Sequence, residues 1–250
     1  MLKKALTGAA AVAMAGVAVL GVEALIARAG ERPPPGPTTP ADSPAGPPGA
    51  PVDSVVWLGD STAAGLGAST LAGSLPEQAA AALGRPVRLT VLARSGDRIA
   101  DVLNRQVPLV AQARPTVVFV SVGANDVTHL TSRGGFRRDY ARMVSRLPGG
   151  ARLVLLGVPD MGAPPRLAQP LRAVAGWRGR SLDGDVRHVT FRTPRATYVD
   201  IAGRTGPSFR NHPTRYFAPD RFHPNDAGYG LWARAVAEVV TPSGSGAGTP

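Results

Sequence analysis

Five short apolar runs punctuate this chain, at 54–58, 87–92, 116–122, 152–158 and 197–201, and polar residues seldom interrupt them. Such runs fit strands buried on both faces, which show no apolar–polar alternation. Between them, apolar positions recur every three or four residues and predict helices over 74–83, 97–112, 135–147, 165–180 and 225–240. Strands alternating with amphipathic helices build parallel βαβ units. The predicted fold class is therefore α/β, a three-layer helix–sheet–helix sandwich on a mostly parallel five-stranded sheet. Pro108 falls inside the second helix and predicts a kink or the start of a new helix there. Residues 159–194 mix Pro-Pro, Gly, Arg and Asp, a pattern that fits a helix, a lid or both.

The pattern stops at both ends. Residues 1–30 place Lys3 and Lys4 before an uncharged stretch from Ala5 to Val22, with Ala27-Arg28-Ala29 behind it. A basic start, an apolar segment and a small-x-small site make a signal peptide. The length of the apolar segment also fits a membrane anchor. Either way the rest of the chain is expected outside the cytoplasm, secreted or held at a membrane. Residues 31–51 read as a Pro/Gly-rich linker with too little apolar area to fold. Residues 242–250 read as a disordered tail, leaving one domain over 52–241.

Composition narrows the chemistry. The 250 residues are 44% hydrophobic, enough for a real core. Cysteine is absent, which excludes disulfides, thiolate nucleophiles and Cys-based metal sites. The four histidines, His129, His188, His212 and His223, show no paired metal-ligand spacing, so no metal or cofactor is implied. The net charge is +11, and between Pro51 and Thr241 stand 24 arginines against 14 acidic residues. That basicity fits an anionic envelope or membrane surface as a partner, and equally a general preference for arginine codons. No basic segment interleaves aromatics, so no nucleic acid partner is expected. A monomer is expected.

Four turns carry the candidate chemistry. The first run ends in Gly59-Asp60-Ser61, which puts Ser61 at the carboxyl end of a strand, where open α/β sheets bind ligands. Ala93-Arg94-Ser95-Gly96-Asp97 follows the second strand, and Gly123-Ala124-Asn125-Asp126 the third. Right-handed crossovers bring these turns to one edge of the sheet. There the Gly96 N–H and the Asn125 amide, with the N–H of Ser61, could form an oxyanion hole. Each residue also has a plain structural reading: Ser61, Asn125 and Asp126 as helix caps, Gly96 as a turn former. The fourth stretch is Asp220-Arg221-Phe222-His223, where a carboxylate three residues before a histidine could orient its ring. Asp126 and Asp185 stand in the same relation to His129 and His188, and His212 also precedes a proline. Spacing alone leaves three carboxylate–histidine pairs, of which only Asp220–His223 lies late, in a short loop before the final helix.

Taken together, Gly59-Asp60-Ser61, Gly96, Gly123-x-Asn125-Asp126 and Asp220-x-x-His223 resemble the four blocks of the SGNH/GDSL hydrolases, in the family's order across nearly the whole domain. The resemblance implies a flavodoxin-like α/β/α sandwich and metal-free hydrolysis of esters or thioesters by a GDSL-type serine esterase or lipase. It implies Ser61 as nucleophile, His223 as base, Asp220 as its partner, and Ser61, Gly96 and Asn125 as the oxyanion hole. Thr62 stands where many members have leucine. Acyl or acetyl esters of lipids or envelope glycans are the expected substrates. An acyltransferase using the same residues, or an idle envelope-binding module, are the other readings. The pocket walls are expected from the loops 62–75, 129–136 and 159–180, with Trp177 either lining an acyl groove or packed in the core.

Overall fold

The computed structural model describes residues 42–240. Both termini, including the expected leader over 1–30 and the tail over 242–250, lie outside these residues. The strands are β1 (Ser43–Ala45), β2 (Asp53–Gly59), β3 (Val87–Val91), β4 (Val117–Ser121), β5 (Arg152–Leu156) and β6 (Ala196–Val199). They form one sheet in the order β1-β3-β2-β4-β5-β6, with β1 antiparallel and the others parallel. The helices are α1 (Leu75–Ala82), α2 (Ile99–Asp101), α3 (Val107–Val110), α4 (Ala124–Thr128), α5 (Arg133–Arg146), α6 (Leu171–Phe191), α7 (Ile201–Asn211), α8 (Pro213–Tyr216) and α9 (Asp226–Val240).

The parallel strands are apolar on both faces because both faces are covered. Val56 and Leu58 of β2 pack with Phe136, Tyr140 and Met143 of α5 and Leu182 and Val186 of α6. Val55 and Trp57 face the opposite layer, with Leu75 and Ala79 of α1 and Tyr229, Trp232 and Val236 of α9. Trp57 and Phe119, opposite each other in the β2–β4 register, stack with ring centres 4.6 Å apart. From β2 the chain goes first to β3 on one side and then to β4 on the other. The carboxyl end of β2 is thus the switch point of the sheet, where a crevice opens.

Two expectations are corrected. The sheet has six strands rather than five, because Ser43–Ala45, inside the supposed linker, pairs with β3. Three residues around Pro44 are too short a signal to read as a strand, and an edge position tolerates the missing N–H of proline. Asp42 secures it with an ion pair to Arg88 (2.9 Å) and a hydrogen bond from its backbone N–H to the Thr90 hydroxyl oxygen. The helix expected over 165–180 instead spans Leu171–Phe191. Prolines at 164, 165 and 170 delay its start, and its later acids face inward rather than water: Asp183 accepts from the Tyr198 hydroxyl, and Asp185 is ion-paired to Arg133. The second helix is broken as expected near Pro108, which stands in the first turn of the new helix α3; before it lies a π turn, Val102–Gln106, in which the Val107 N–H bonds the Val102 carbonyl five residues back. Among the described residues no helix is long and apolar enough to cross a membrane.

Candidate active site

Ser61 stands just past β2, on a turn that only this local sequence permits. Gly59 has φ +146°, and a Cβ there would lie 1.9 Å from the Ser121 carbonyl oxygen of neighbouring β4. Without a side chain the strand end stays tight against β4, and the Asp60 N–H donates to that same carbonyl. The Asp60 carboxylate, almost wholly buried, accepts from the amide and hydroxyl of Thr62. Burial lifts its pKa above the ordinary carboxylate range, against the bonds from Thr62, the charge of His223 and the Gly123 amide. Thr62 therefore serves as a hydroxyl partner for Asp60 and, at 3.0 Å, for Ser121.

The loop before α9 brings the histidine to this serine. His223 Nε2 lies 3.0 Å from Ser61 Oγ, and His223 Nδ1 lies 2.5 Å from Asp220 Oδ2. The other Asp220 oxygen accepts the N–H groups of Phe222 and His223, so the carboxylate is fixed by its own loop. A bridge between Phe217 and Pro224 closes that loop, and Arg221 takes φ +60° at its tip. Burial works to raise the Asp220 pKa, but the bond and charge of His223 and the two amides hold it below the ordinary value. Asp220 is thereby kept ionised against Nδ1, leaving Nε2 to face the hydroxyl.

The other histidines are elsewhere. The His129 ring bonds the Asn125 carbonyl at the surface, His188 is exposed on α6, and His212 links α7 to α8. Their neighbouring acids are engaged differently, Asp126 by the Ile99 N–H and Asp185 by Arg133. Burial pushes the Asp126 carboxyl up to about 6.

Gly96 and Asn125 are tied to each other and to the strand ends. Gly96 takes φ +87°, and no atom lies within 4 Å of where its Cβ would be, so its backbone is open. Asn125 Nδ2 donates one hydrogen to the Asp97 carbonyl (3.1 Å), next to Gly96. The Arg94 N–H donates to the Gly59 carbonyl, joining the Gly96 turn to the Ser61 turn. A clamp beneath them had no motif to announce it. Gln106, fully buried in the π turn, accepts from the Gly59 N–H (2.9 Å) and donates to the Gly59 carbonyl and to Asp97 Oδ2, both at 2.8 Å. Arg105 holds the second Asp97 oxygen. The only sequence trace of this is Pro108, which signals an irregular helix but not its consequence.

Beside Ser61 and His223 opens a small cavity of about 40 Å³, walled by Met161, Phe209, Phe217, Phe222 and Trp232. Of the loops expected to form the walls, Thr62 and residues 159–164 contribute, whereas 129–136 do not line it. Trp177 neither lines the cavity nor packs in the core; it is 62% exposed on α6. The aromatic wall comes instead from α7 to α9, outside the loops expected to form it. Among the described residues no group of three or more His, Cys, Asp or Glu side chains is arranged to hold a metal.

Known proteins resemble this chain in sequence or in fold. A GDSL-like esterase of Mycobacterium tuberculosis is 31% identical over 186 residues, a match covering 70% of this chain and 58% of the relative's length. A lipase/acylhydrolase from Enterococcus faecalis superposes with a TM-score of 0.59 at 20% identity, over 74% of this chain and 93% of that one. A variant of an acetyl xylan esterase from Geobacillus stearothermophilus gives 0.58 at 20% identity, over 78% and 95%. Such likeness shows the shared fold. Residues 57–231, from the strand before Ser61 into the last helix, match the GDSL-like Lipase/Acylhydrolase family, and to that family the chain belongs.

Proposed function

We propose that this protein is a serine esterase for short acyl groups, acting outside the cytoplasm. The observation that carries the reading is the hydrogen-bonded series Asp220–His223–Ser61 opening onto a cavity of about 40 Å³. In such a series His223 Nε2 takes the Ser61 proton as Oγ attacks the acyl carbon. Asp220 holds the tautomer and steadies the cation that forms. The tetrahedral oxyanion is met by the N–H groups of Ser61 and Gly96 and by the second hydrogen of Asn125 Nδ2. His223 then gives its proton to the leaving alcohol, and water repeats the sequence to free the acid.

Cavity size supports the chain length. A water needs about 10–15 Å³ and benzene about 150 Å³, so this space suits an acyl group of about two to four carbons. The names of the relatives, an esterase and an acetyl xylan esterase among them, agree with an ester substrate. Action outside the cytoplasm rests on Lys3, Lys4 and the apolar stretch after them. The recovered chain should begin at Gly30 if a leader is cleaved, or at Met1 if it is an anchor.

A series of p-nitrophenyl esters tests the reading. Turnover should peak at acetyl to butyryl, fall steeply beyond, and vanish in Ser61→Ala. A maximum at octanoyl or longer would sink the short-acyl claim, and retained turnover in Ser61→Ala would sink the mechanism.

A further inference from the structure

On the flank of the molecule α5 and α6 run side by side, both returning from the carboxyl edge of the sheet. Between them lies an open groove of about 1000 Å³. At one end Arg133 is bidentate to Asp185 (2.8 and 3.2 Å), so its charge is cancelled. At the other, Arg195 donates to the carbonyls of Val144, Leu147, Pro148 and Ala151, which fix the guanidinium without neutralising it. Arg137 on one wall and Arg192 on the other have no carboxylate partner among the described residues, and Arg138 has only Asp139 at 3.4 Å. Arg195 has its terminal N–H groups committed to these carbonyls, so the guanidinium charge the groove offers a ligand comes mainly from Arg137 and Arg192 on its two walls, beside Ala141, Val144 and Val189.

We infer that this groove binds a linear phosphate-bearing polyanion, such as a polyphosphate or polyol-phosphate chain. Guanidinium pairs bidentately with phosphate, and charges spread along two walls suit a chain better than a single ion. The walls face each other across a concavity, a shape that a flat bilayer does not enter. None of the lining residues is Phe, Tyr or Trp, so the groove lacks the platforms on which single-stranded nucleic acids stack their bases. The site is separate from Ser61 and would hold the chain at an anionic matrix while the esterase site works.

The test measures binding of fluorescent linear polyphosphate to the full chain across a salt series. Comparison arms use orthophosphate, single-stranded DNA of equal charge, and vesicles of anionic lipid. The variant is Arg137→Glu with Arg192→Glu, and Arg137→Gln with Arg192→Gln guards against misfolding. Unchanged turnover of a neutral ester in each variant confirms the fold. Binding should weaken with salt, and the glutamine pair should lower the slope of log K against log salt by about two, one for each phosphate no longer neutralised. Polyphosphate binding equal in wild type and variants would overturn the inference, as would binding to vesicles or DNA but not polyphosphate. Orthophosphate matching polyphosphate at equal phosphate concentration would reduce the groove to a single-anion site and overturn it as well.

Discussion

The hydroxyl of Ser61 has one fixed partner, His223 Nε2, and the division of labour in that pair sets a ranking among substitutions. In the proposed mechanism the imidazole moves the proton, whereas Asp220 orients and stabilises it. His223→Ala should therefore lower kcat more than Asp220→Ala on the same ester. The His223 loop keeps other constraints when the carboxylate is removed, among them the Ala218 N–H bond to the His223 carbonyl. Steady-state kinetics of both variants decides the order, and wild-type turnover in His223→Ala would remove this histidine from the reaction. The motifs pointed to Ser61, Gly96, Asn125, Asp220 and His223, of which the structure joins Asp220, His223 and Ser61 by hydrogen bonds and ties Asn125 to the turn of Gly96. Spacing did not separate Asp220–His223 from the two other carboxylate–histidine pairs; its late position before the final helix did, and a compact loop realises it. Gln106 was not legible. Its role comes from burial and from reaching Gly59, and neither leaves a local mark in the chain.

At the scale of elements, legibility follows how the signal is made. The five parallel strands are continuous apolar runs, and their observed positions agree with those runs to within a residue or two. Helix α7 is hidden in the sequence because Gly203, Gly206 and Pro207 erase a helical pattern, although Asp200 caps it through the Gly203 N–H. Hidden with it are Thr205, Gly206 and Phe209, which wall the cavity. The π turn over Val102–Gln106 is the element on which the site depends most closely. Widened by one residue, it aims Gln106 at Gly59, in keeping with the occurrence of such bulges at functional sites. Deleting exposed Asn104 would restore ordinary helical spacing and turn Gln106 by about 100°. Turnover should then fall toward the ~10²–10³-fold loss seen when one oxyanion donor is removed. Near wild-type turnover with an intact thermal transition would show that Gln106 does not position the site.

For the molecule as a whole, two layers of helices over one sheet bring four separate stretches of sequence to a single edge. The order of the blocks in the chain was enough to suggest this arrangement. What the sequence could not reveal is the edge strand β1, only three residues long. That small strand has a consequence for how the polypeptide tolerates cutting. In a chain cut so as to begin at Asp42, β1 remains paired with β3. A protease acting at the 51–52 bond strips β1 and bares the backbone N–H and C=O groups of β3, whose Val87 and Leu89 are already buried from water. An open, apolar strand edge is a template for another chain. Protein beginning at Val52 should therefore self-associate at concentrations where protein beginning at Asp42 does not, and sedimentation velocity of the two forms would show it. Equal behaviour would mean that β3 guards its own edge, and that processing on either side of β1 yields equivalent molecules.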